Sequence, residues 1–248
     1  MRGHEASPLE RALALTAGLA MLSSCDSGSP TAPAPAPSAL TLVVRDAADL
    51  GAQLPAIEAL LRQTFLEVDG ALDVGPLTSV VTVDPARTIP GWGLGGYTLG
   101  PREIELVFDP QFPRLDELLT ERLPHIVAHE LHHAVRWRDP GPYRTLLEAM
   151  VSEGLADDFA LELLGGPLPP WSNAFPRREG SRYLDRARPE FDSTRFDFGA
   201  WFFGLGTDLP PWTGYTLGYR LVRDYRADHP ATPAAQLVSA PADAFRPD

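Results

Sequence analysis

The segment HELHH at positions 129–133 constrains the local structure of this chain more than any other feature. His129 and His133 are four residues apart, so on an α-helix they project from one face, one turn apart. Glu130 lies between them in the sequence. This spacing lets two imidazoles bind one zinc ion while a carboxylate stays free to act on a water molecule. The motif therefore predicts a helix that carries a catalytic metal site.

A catalytic zinc site needs a third protein ligand, and the next predicted helix, from about Tyr143 to Leu164, offers one. Glu153 lies 20 residues after His133, beyond a turn predicted at 139–142 that folds the two helices together. Asp157 is one helical turn further along the same face, where it can accept the second N–H of a ligand histidine. We predict His129, His133 and Glu153 as zinc ligands and Asp157 as their hydrogen-bond partner.

This arrangement resembles the gluzincin metallopeptidases, in which HExxH is followed by a Glu ligand on the next helix and by an Asp four residues later. The chain is still more similar to a bacterial family of predicted zinc-dependent proteases catalogued as domain of unknown function 2268. The resemblance covers roughly residues 40–245 and rests on three segments: AHELHHAVRW (128–137), LLEAMVSEGLADDFA (146–160) and PPWTGYTLGYRLV (210–222).

The resemblance implies hydrolysis of a peptide or protein substrate. Zinc would polarise the scissile carbonyl and activate a water molecule, and Glu130 would take the proton from that water as general base. Gluzincins often use a C-terminal Tyr or His as an oxyanion donor. Tyr215 and Tyr219, four apart on a helix predicted over Tyr215–Ala227, are the candidates, although either position also suits an ordinary packing face.

The N-terminal residues predict export and lipid attachment. Residues 12–22 (ALALTAGLAML) have the length of a signal-peptide core, and LSSC at 22–25 resembles a bacterial lipobox. Cys25 is the only cysteine, so an internal disulfide is excluded. We expect a signal peptide (1–24), a Pro/Ala-rich tether (25–39) and one zincin-like domain (40–248), in a lipoprotein anchored to a membrane of the bacterial cell envelope, on its periplasmic or extracellular face. The alternative is a plain secretory signal with an incidental cysteine.

Apolar and glycine-rich segments before the motif predict an α+β fold, with a small mixed or antiparallel sheet ahead of a mostly helical C-terminal half. The predicted elements there are strands at 41–45, 79–84 and 104–108 and a helix at 54–68, and the metal helix is expected to start near Pro124. The glycine-rich stretch 91–100 predicts a hairpin or an edge strand. An edge strand beside the metal helix could pair with a substrate backbone, a role carried by the region Gly91–Tyr97.

The formal net charge of −12 argues against a nucleic-acid partner, whose phosphates need a basic surface. Two functional alternatives stay open: a zinc-dependent hydrolase of a non-peptide amide or ester, and a non-catalytic binding or chaperone-like lipoprotein. The intact Glu130 argues against the second, because zinc binding does not require it. A two-His, one-Glu set favours zinc over Mn, Co or Fe. We expect His132 at the surface or beside the ligands, His125 in a hydrogen bond near the helix start, and Asp158 in solvent.

Overall fold

The computed structural model describes residues 40–247, and its first part is built on a four-stranded mixed sheet. The strands are β1 (Leu40–Val44), β2 (Leu77–Val83), β3 (Leu94–Gly100) and β4 (Glu103–Phe108). They lie in the order β1-β2-β4-β3, with β1 parallel to β2, β2 parallel to β4, and β3 antiparallel to β4. The apolar runs of β2 and β4 occupy the centre. The glycine-rich β3 forms an edge, which is one of the two structures that the sequence predicts for this stretch.

Three helices accompany the sheet: α1 (Ala47–Leu50), α2 (Leu54–Leu72) and α3 (Leu115–Arg138). Helix α3 packs against α2, β3 and β4. The predicted start of this helix near Pro124 is wrong, because the helix begins at Leu115 and contains the proline in its interior. Leu115, Leu119 and Leu123 are buried at helical spacing, so packing of this apolar stripe outweighs the local preference of proline for a helix start.

The C-terminal half is mostly helical, with α4 (Leu146–Leu164), α5 (Gly180–Ala187), α6 (Phe198–Phe203) and α7 (Thr213–Asp228). Helix α4 begins with a capping box: the Glu148 carboxylate accepts the Thr145 N–H at 3.0 Å, and the Thr145 hydroxyl accepts the Glu148 N–H at 3.3 Å. These helices enclose a second apolar core, and Tyr215 packs against both cores. The predicted α+β architecture is confirmed.

Helices α4 and α7 cross with their backbones in direct contact. A Cβ atom added at Gly154 would lie 2.3 Å from the carbonyl of Gly218, and one added at Gly218 would lie 1.8 Å from the carbonyl oxygen of Met150. Only glycine permits this approach. The crossing brings the turn of α7 around Gly218, three residues after Tyr215, against the stretch of α4 from Met150 to Gly154.

An ion-pair cluster lies at the same helix pair and corrects the expectation that Asp158 is solvated. Asp158 is only 2% exposed, and its carboxylate accepts hydrogen bonds from Arg223 at 3.0 Å and Arg226 at 2.6 Å, both on α7. Arg226 also contacts Glu162 on α4. The carboxylate therefore joins two helices instead of facing water.

Between residues 40 and 247, none of the helices is long and apolar enough to cross a bilayer. The predicted signal peptide, the lipidation site Cys25 and the tether lie outside the described residues. The predicted domain boundary at residue 40 stays a prediction.

Candidate metal centre

Helices α3 and α4 bring three metal-binding atoms to one point. His129 Nε2 and His133 Nε2 lie 3.0 Å apart, and Glu153 Oε2 lies 3.1 Å from the first and 3.3 Å from the second. Both histidines project from one face of α3, as their spacing predicts, and Glu153 faces them from α4. The structure thus groups the three predicted ligands, although their binding of a metal stays a prediction.

The dimensions and chemistry of this triangle fit zinc. Tetrahedral zinc with bonds of about 2.0–2.1 Å separates neighbouring ligand atoms by about 3.3 Å, close to the three distances observed. Two neutral imidazole nitrogens that face each other at 3.0 Å would also repel through their lone pairs, unless a proton or a cation lies between them. Two nitrogens and one carboxylate oxygen are a typical donor set for catalytic zinc.

Without a metal, the histidines and carboxylates stabilise one another by charge. Burial lowers the pKa of His129, but the carboxylates of Asp157 and Glu153 outweigh burial and raise that pKa well above its ordinary value. Burial raises the pKa of Glu153, but His133 and His129 outweigh it and bring that pKa down to about 2. A cation at this point would take over the role of the protons, because metal binding displaces protons from its ligands.

Asp157 holds the ring of His129, the first predicted ligand. Its Oδ1 lies 2.8 Å from His129 Nδ1, which leaves Nε2 available for a metal. Its Oδ2 accepts hydrogen bonds from Trp171 Nε1 at 2.9 Å and from the Ser172 hydroxyl. Burial raises the pKa of Asp157, but the charge of His129 and hydrogen bonds from His125 and His129 hold it well below the usual range. The carboxylate therefore stays ionised.

The partners Trp171 and Ser172 carry no motif, so sequence reasoning missed them. His125 lies in the interior of α3 with Nε2 3.4 Å from Asp157 Oδ1, which corrects its expected place near a helix start. On the second ligand, the Ser152 hydroxyl lies 3.2 Å from His133 Nδ1. Each ligand histidine therefore has a partner on α4 that fixes its ring.

Glu130 is buried beside the ligands but outside their triangle. Its Oε2 accepts a hydrogen bond from the Thr98 hydroxyl at 2.7 Å, across from strand β3. Burial raises the pKa of Glu130, while His129, His133 and the Thr98 hydrogen bond lower it, and the net shift is upward. A carboxylate with a raised pKa that is free of the ligand set suits a general base.

The two candidate tyrosines differ in the charged groups that act on their pKa values. Burial raises the pKa of Tyr215 well above its ordinary value, and Glu153 and Glu130 are among the carboxylates that raise it further. Burial also raises the pKa of Tyr219, Arg223 lowers it, and the carboxylates acting on it are Asp158 and Asp157. The charges that act on Tyr219 therefore include members of the ion-pair cluster, Asp158 and Arg223.

A third phenol, Tyr143, was missed by sequence reasoning because it precedes α4 in a turn without a motif. Burial raises the pKa of Tyr143, and Glu153 and Glu130 raise it further. Its ring stacks on Phe198 with centroids 6.0 Å apart, and Phe202 lies edge-on to Tyr215 at 5.0 Å. Tyr143 and Tyr215 thus both pack against aromatic side chains of α6.

His132 differs from its neighbours and corrects the expectation of a surface position. It is fully buried beside Phe159, and neither ring nitrogen has a hydrogen-bond partner among residues 40–247. Burial lowers its pKa well below the ordinary value. His132 therefore occupies a core position as a neutral ring.

Comparison with known proteins agrees with this geometry. A family model described as "Predicted Zn-dependent protease (DUF2268)" matches residues 111–246, which is more than half of the chain. The uncharacterized protein YjfC of Bacillus subtilis (strain 168) is 30% identical over 125 residues, which cover 45% of this chain and 42% of that relative. No solved structure matches. The matched region includes α3, α4 and α7, and the chain belongs to the family of predicted zinc-dependent proteases DUF2268.

Proposed function

We propose that this protein is a zinc metallopeptidase in which His129, His133 and Glu153 hold the metal and Glu130 is the general base. One observation carries the proposal: three potential ligand atoms converge at distances that fit zinc, while the carboxylate of Glu130, which is outside this set, lies beside them. A purely structural zinc site is closed by four protein ligands and has no use for an adjacent base.

The chemistry divides between the metal and the chain. Zinc bound there would supply the Lewis acid for the scissile carbonyl and for the attacking water. Glu130 accepts the proton of that water and returns it to the leaving amine. Its raised pKa brings the carboxylate closer to the pH at which one group serves as base and then as acid.

Tyr215 is the proposed donor to the developing oxyanion. Its raised pKa keeps the phenol protonated, and its hydroxyl makes no hydrogen bond with any residue in the described range. A free donor held near the metal ligands meets the requirement for oxyanion stabilisation. Tyr219, whose pKa is affected by Arg223 and Asp158 and not chiefly by the predicted ligands, is the weaker of the two candidates.

Strand β3 favours a peptide over a small amide or ester as substrate. It lies at the edge of the sheet, pairs only with β4 among the described strands, and contacts α3. Beyond Leu94, whose carbonyl oxygen accepts the Ile89 N–H at 3.1 Å, an extended peptide could add to the outer edge of β3 through main-chain hydrogen bonds. A small non-peptide amide or ester has no backbone with which to use this edge.

The cellular setting is proposed on sequence grounds alone. The lipobox-like segment that ends at Cys25 supports a lipoprotein of the bacterial envelope, acting on peptides or proteins outside the cytoplasm. Membership of the gluzincins rests on the order of the motif residues, from His129 to Asp157. The acidic charge supports the absence of a nucleic-acid partner.

The test is cleavage of an unbiased peptide library by the full chain, purified in detergent and loaded with zinc, beside Glu130→Gln. We expect one bound zinc in both proteins and a loss of roughly 100- to 10,000-fold in kcat for the variant, because the general base is removed. Glu121→Gln, an exposed change on the same helix, is the control and should match wild type.

Equal cleavage by wild type and Glu130→Gln would refute the assignment of the base. Zinc binding without cleavage by either protein would shift the function to a non-peptide substrate or to a binding role. Failure of wild type to bind zinc at all would refute the proposed metal centre.

A further inference from the structure

The edge strand β3 holds the side chain of Glu130 directly. Thr98 Oγ1 lies 2.7 Å from Glu130 Oε2 and 2.9 Å from the backbone carbonyl oxygen of the same residue. A threonine hydroxyl has one proton, so it donates to one of these acceptors at a time. The carboxylate is the closer acceptor and carries charge, which makes it the stronger partner.

The position of Thr98 is itself well fixed. Its backbone pairs with Ile104 of the central strand β4, and the register shifts only beyond it, between Thr98 and Gly100. Its β-branched side chain has few accessible rotamers in an extended strand. The hydroxyl is therefore a rigid donor, anchored to the sheet and aimed at α3.

Gly96 confines the same carboxylate from the neighbouring position on this face of the strand, two residues away. A Cβ atom at Gly96 would lie 2.6 Å from Glu130 Cγ and 2.8 Å from Oε1. The absence of a side chain there lets the strand lie against Glu130. Oε1 accepts no hydrogen bond from any residue in the described range, in contrast to Oε2.

We propose that Thr98 is the positioning residue of the general base: by binding Oε2 of Glu130, it leaves Oε1 as the oxygen that takes the proton of the attacking water. The inference rests on the proposed function of Glu130 and goes beyond it, since it assigns different roles to the two carboxylate oxygens. It also gives β3 two tasks, since the strand proposed to pair with the substrate backbone also holds the base. Substrate and base are thereby aligned by one rigid element.

The kinetic test compares Thr98→Val, which keeps the shape and removes the hydroxyl, with Thr98→Ser, which keeps the hydroxyl. Misplacement of a catalytic group by about 1 Å lowers the rate on the order of 100-fold, so we expect kcat of Thr98→Val to fall roughly 10- to 100-fold. KM and the bound zinc should stay at wild-type values, because Thr98 is not a ligand. Thr98→Ser should restore most of kcat. Thr120→Val, an exposed change on α3, is the matched control.

A second readout does not depend on activity. Crystal structures of the metal-free variants should show Glu130 in the wild-type conformer in Thr98→Ser, and displaced or split between conformers in Thr98→Val. An unchanged Glu130 in Thr98→Val, or an unchanged kcat, would overturn the inference. Loss of zinc or of folding in Thr98→Ser as well would show a structural role and would also overturn it. If wild type cleaves no peptide, the proposed function fails, while the conformation of Glu130 still decides the positioning role.

Discussion

Helix α4 presents two unlike faces to its neighbours, although both faces are buried. Toward α3 it offers polar groups, with Glu153 and Asp157 each bound to a histidine of that helix. Toward α7 it offers backbone, with Gly154 against Gly218, and an ion-paired carboxylate, Asp158. A one-residue step along a helix turns about 100°, which separates these two sets of residues.

The difference shows that one helix can carry functional side chains on one face and a packing contact on another. On the face toward α3, side chains supply a predicted metal ligand and its partner, and shortening one of them inserts no atom between the helices. On the α7 face, backbone contact sets the distance between the helices, and no atom can be added. Changes on the face toward α3 should therefore affect zinc affinity more than the free energy of unfolding. Changes on the face toward α7 should affect the free energy of unfolding more than zinc affinity.

The largest expected effect comes from Gly218→Ala. The new methyl group would overlap the backbone of Met150, which cannot move without shifting α4, so we expect a loss of about 4 kcal/mol or more in the free energy of unfolding. Urea denaturation monitored by circular dichroism measures it. Gly70→Ala, on α2 with open space around the site, is the control and should stabilise the protein by about 0.5–1 kcal/mol.

A Gly218→Ala protein as stable as wild type would contradict the backbone contact between α4 and α7. The comparison between the two faces would then lose its structural basis. A Gly218→Ala protein that does not fold at all would support the backbone contact, provided that Gly70→Ala folds normally.

The neighbouring aspartates test the comparison within a single helical turn. Asp157→Asn removes the charge behind His129 and should weaken zinc binding 10- to 100-fold, as is typical for partners of metal-bound histidines. Asp158→Asn should leave zinc affinity within about twofold but lower the free energy of unfolding by about 2 kcal/mol, because hydrogen bonds to charged groups are lost. Competition with a chelator and urea denaturation in EDTA measure the two quantities.

Equal loss of zinc affinity in both variants would show that the two faces do not act separately. The same conclusion would follow if Asp157→Asn bound zinc as tightly as wild type. In that case the hydrogen bond to His129 would contribute nothing to the metal site.

Sequence reasoning grouped the predicted ligands and their partner because helical periodicity links His129 to His133 and Glu153 to Asp157 over short distances. The rule that residues four apart share a face was sufficient within each pair, whereas the link between the two helices came from the need of zinc for a third ligand and from the family resemblance. The same rule gives the direction of a side chain but not what covers it. That is why Asp158 was expected in water: its covering arginines, on α7, lie 65 and 68 residues further along the chain.

Residues that act across elements were missed for the same physical reason. Thr98 reaches Glu130 from a strand 32 residues earlier, and Trp171 reaches Asp157 from a turn beyond α4. No spacing in the sequence connects such pairs, because the packing of separate elements creates them. The wrong start of α3 at Pro124 shows the converse, since a strong local signal was outweighed by the apolar stripe that packs the preceding turns.

The smallest expected effect separates the two ligand histidines. Nδ1 of His129 has a charged partner, Asp157, at 2.8 Å, whereas Nδ1 of His133 has the neutral hydroxyl of Ser152 at 3.2 Å. A neutral hydrogen bond contributes about 1 kcal/mol, so Ser152→Ala should weaken zinc binding roughly fivefold, clearly less than Asp157→Asn. Chelator competition measures the change, and Ser181→Ala, an exposed change on α5, should leave affinity unchanged. If Ser152→Ala weakened zinc binding as much as Asp157→Asn, the orientation of the histidine rings would matter more than charge. The polar groups that α4 turns toward α3 would then act only by fixing the positions of those rings.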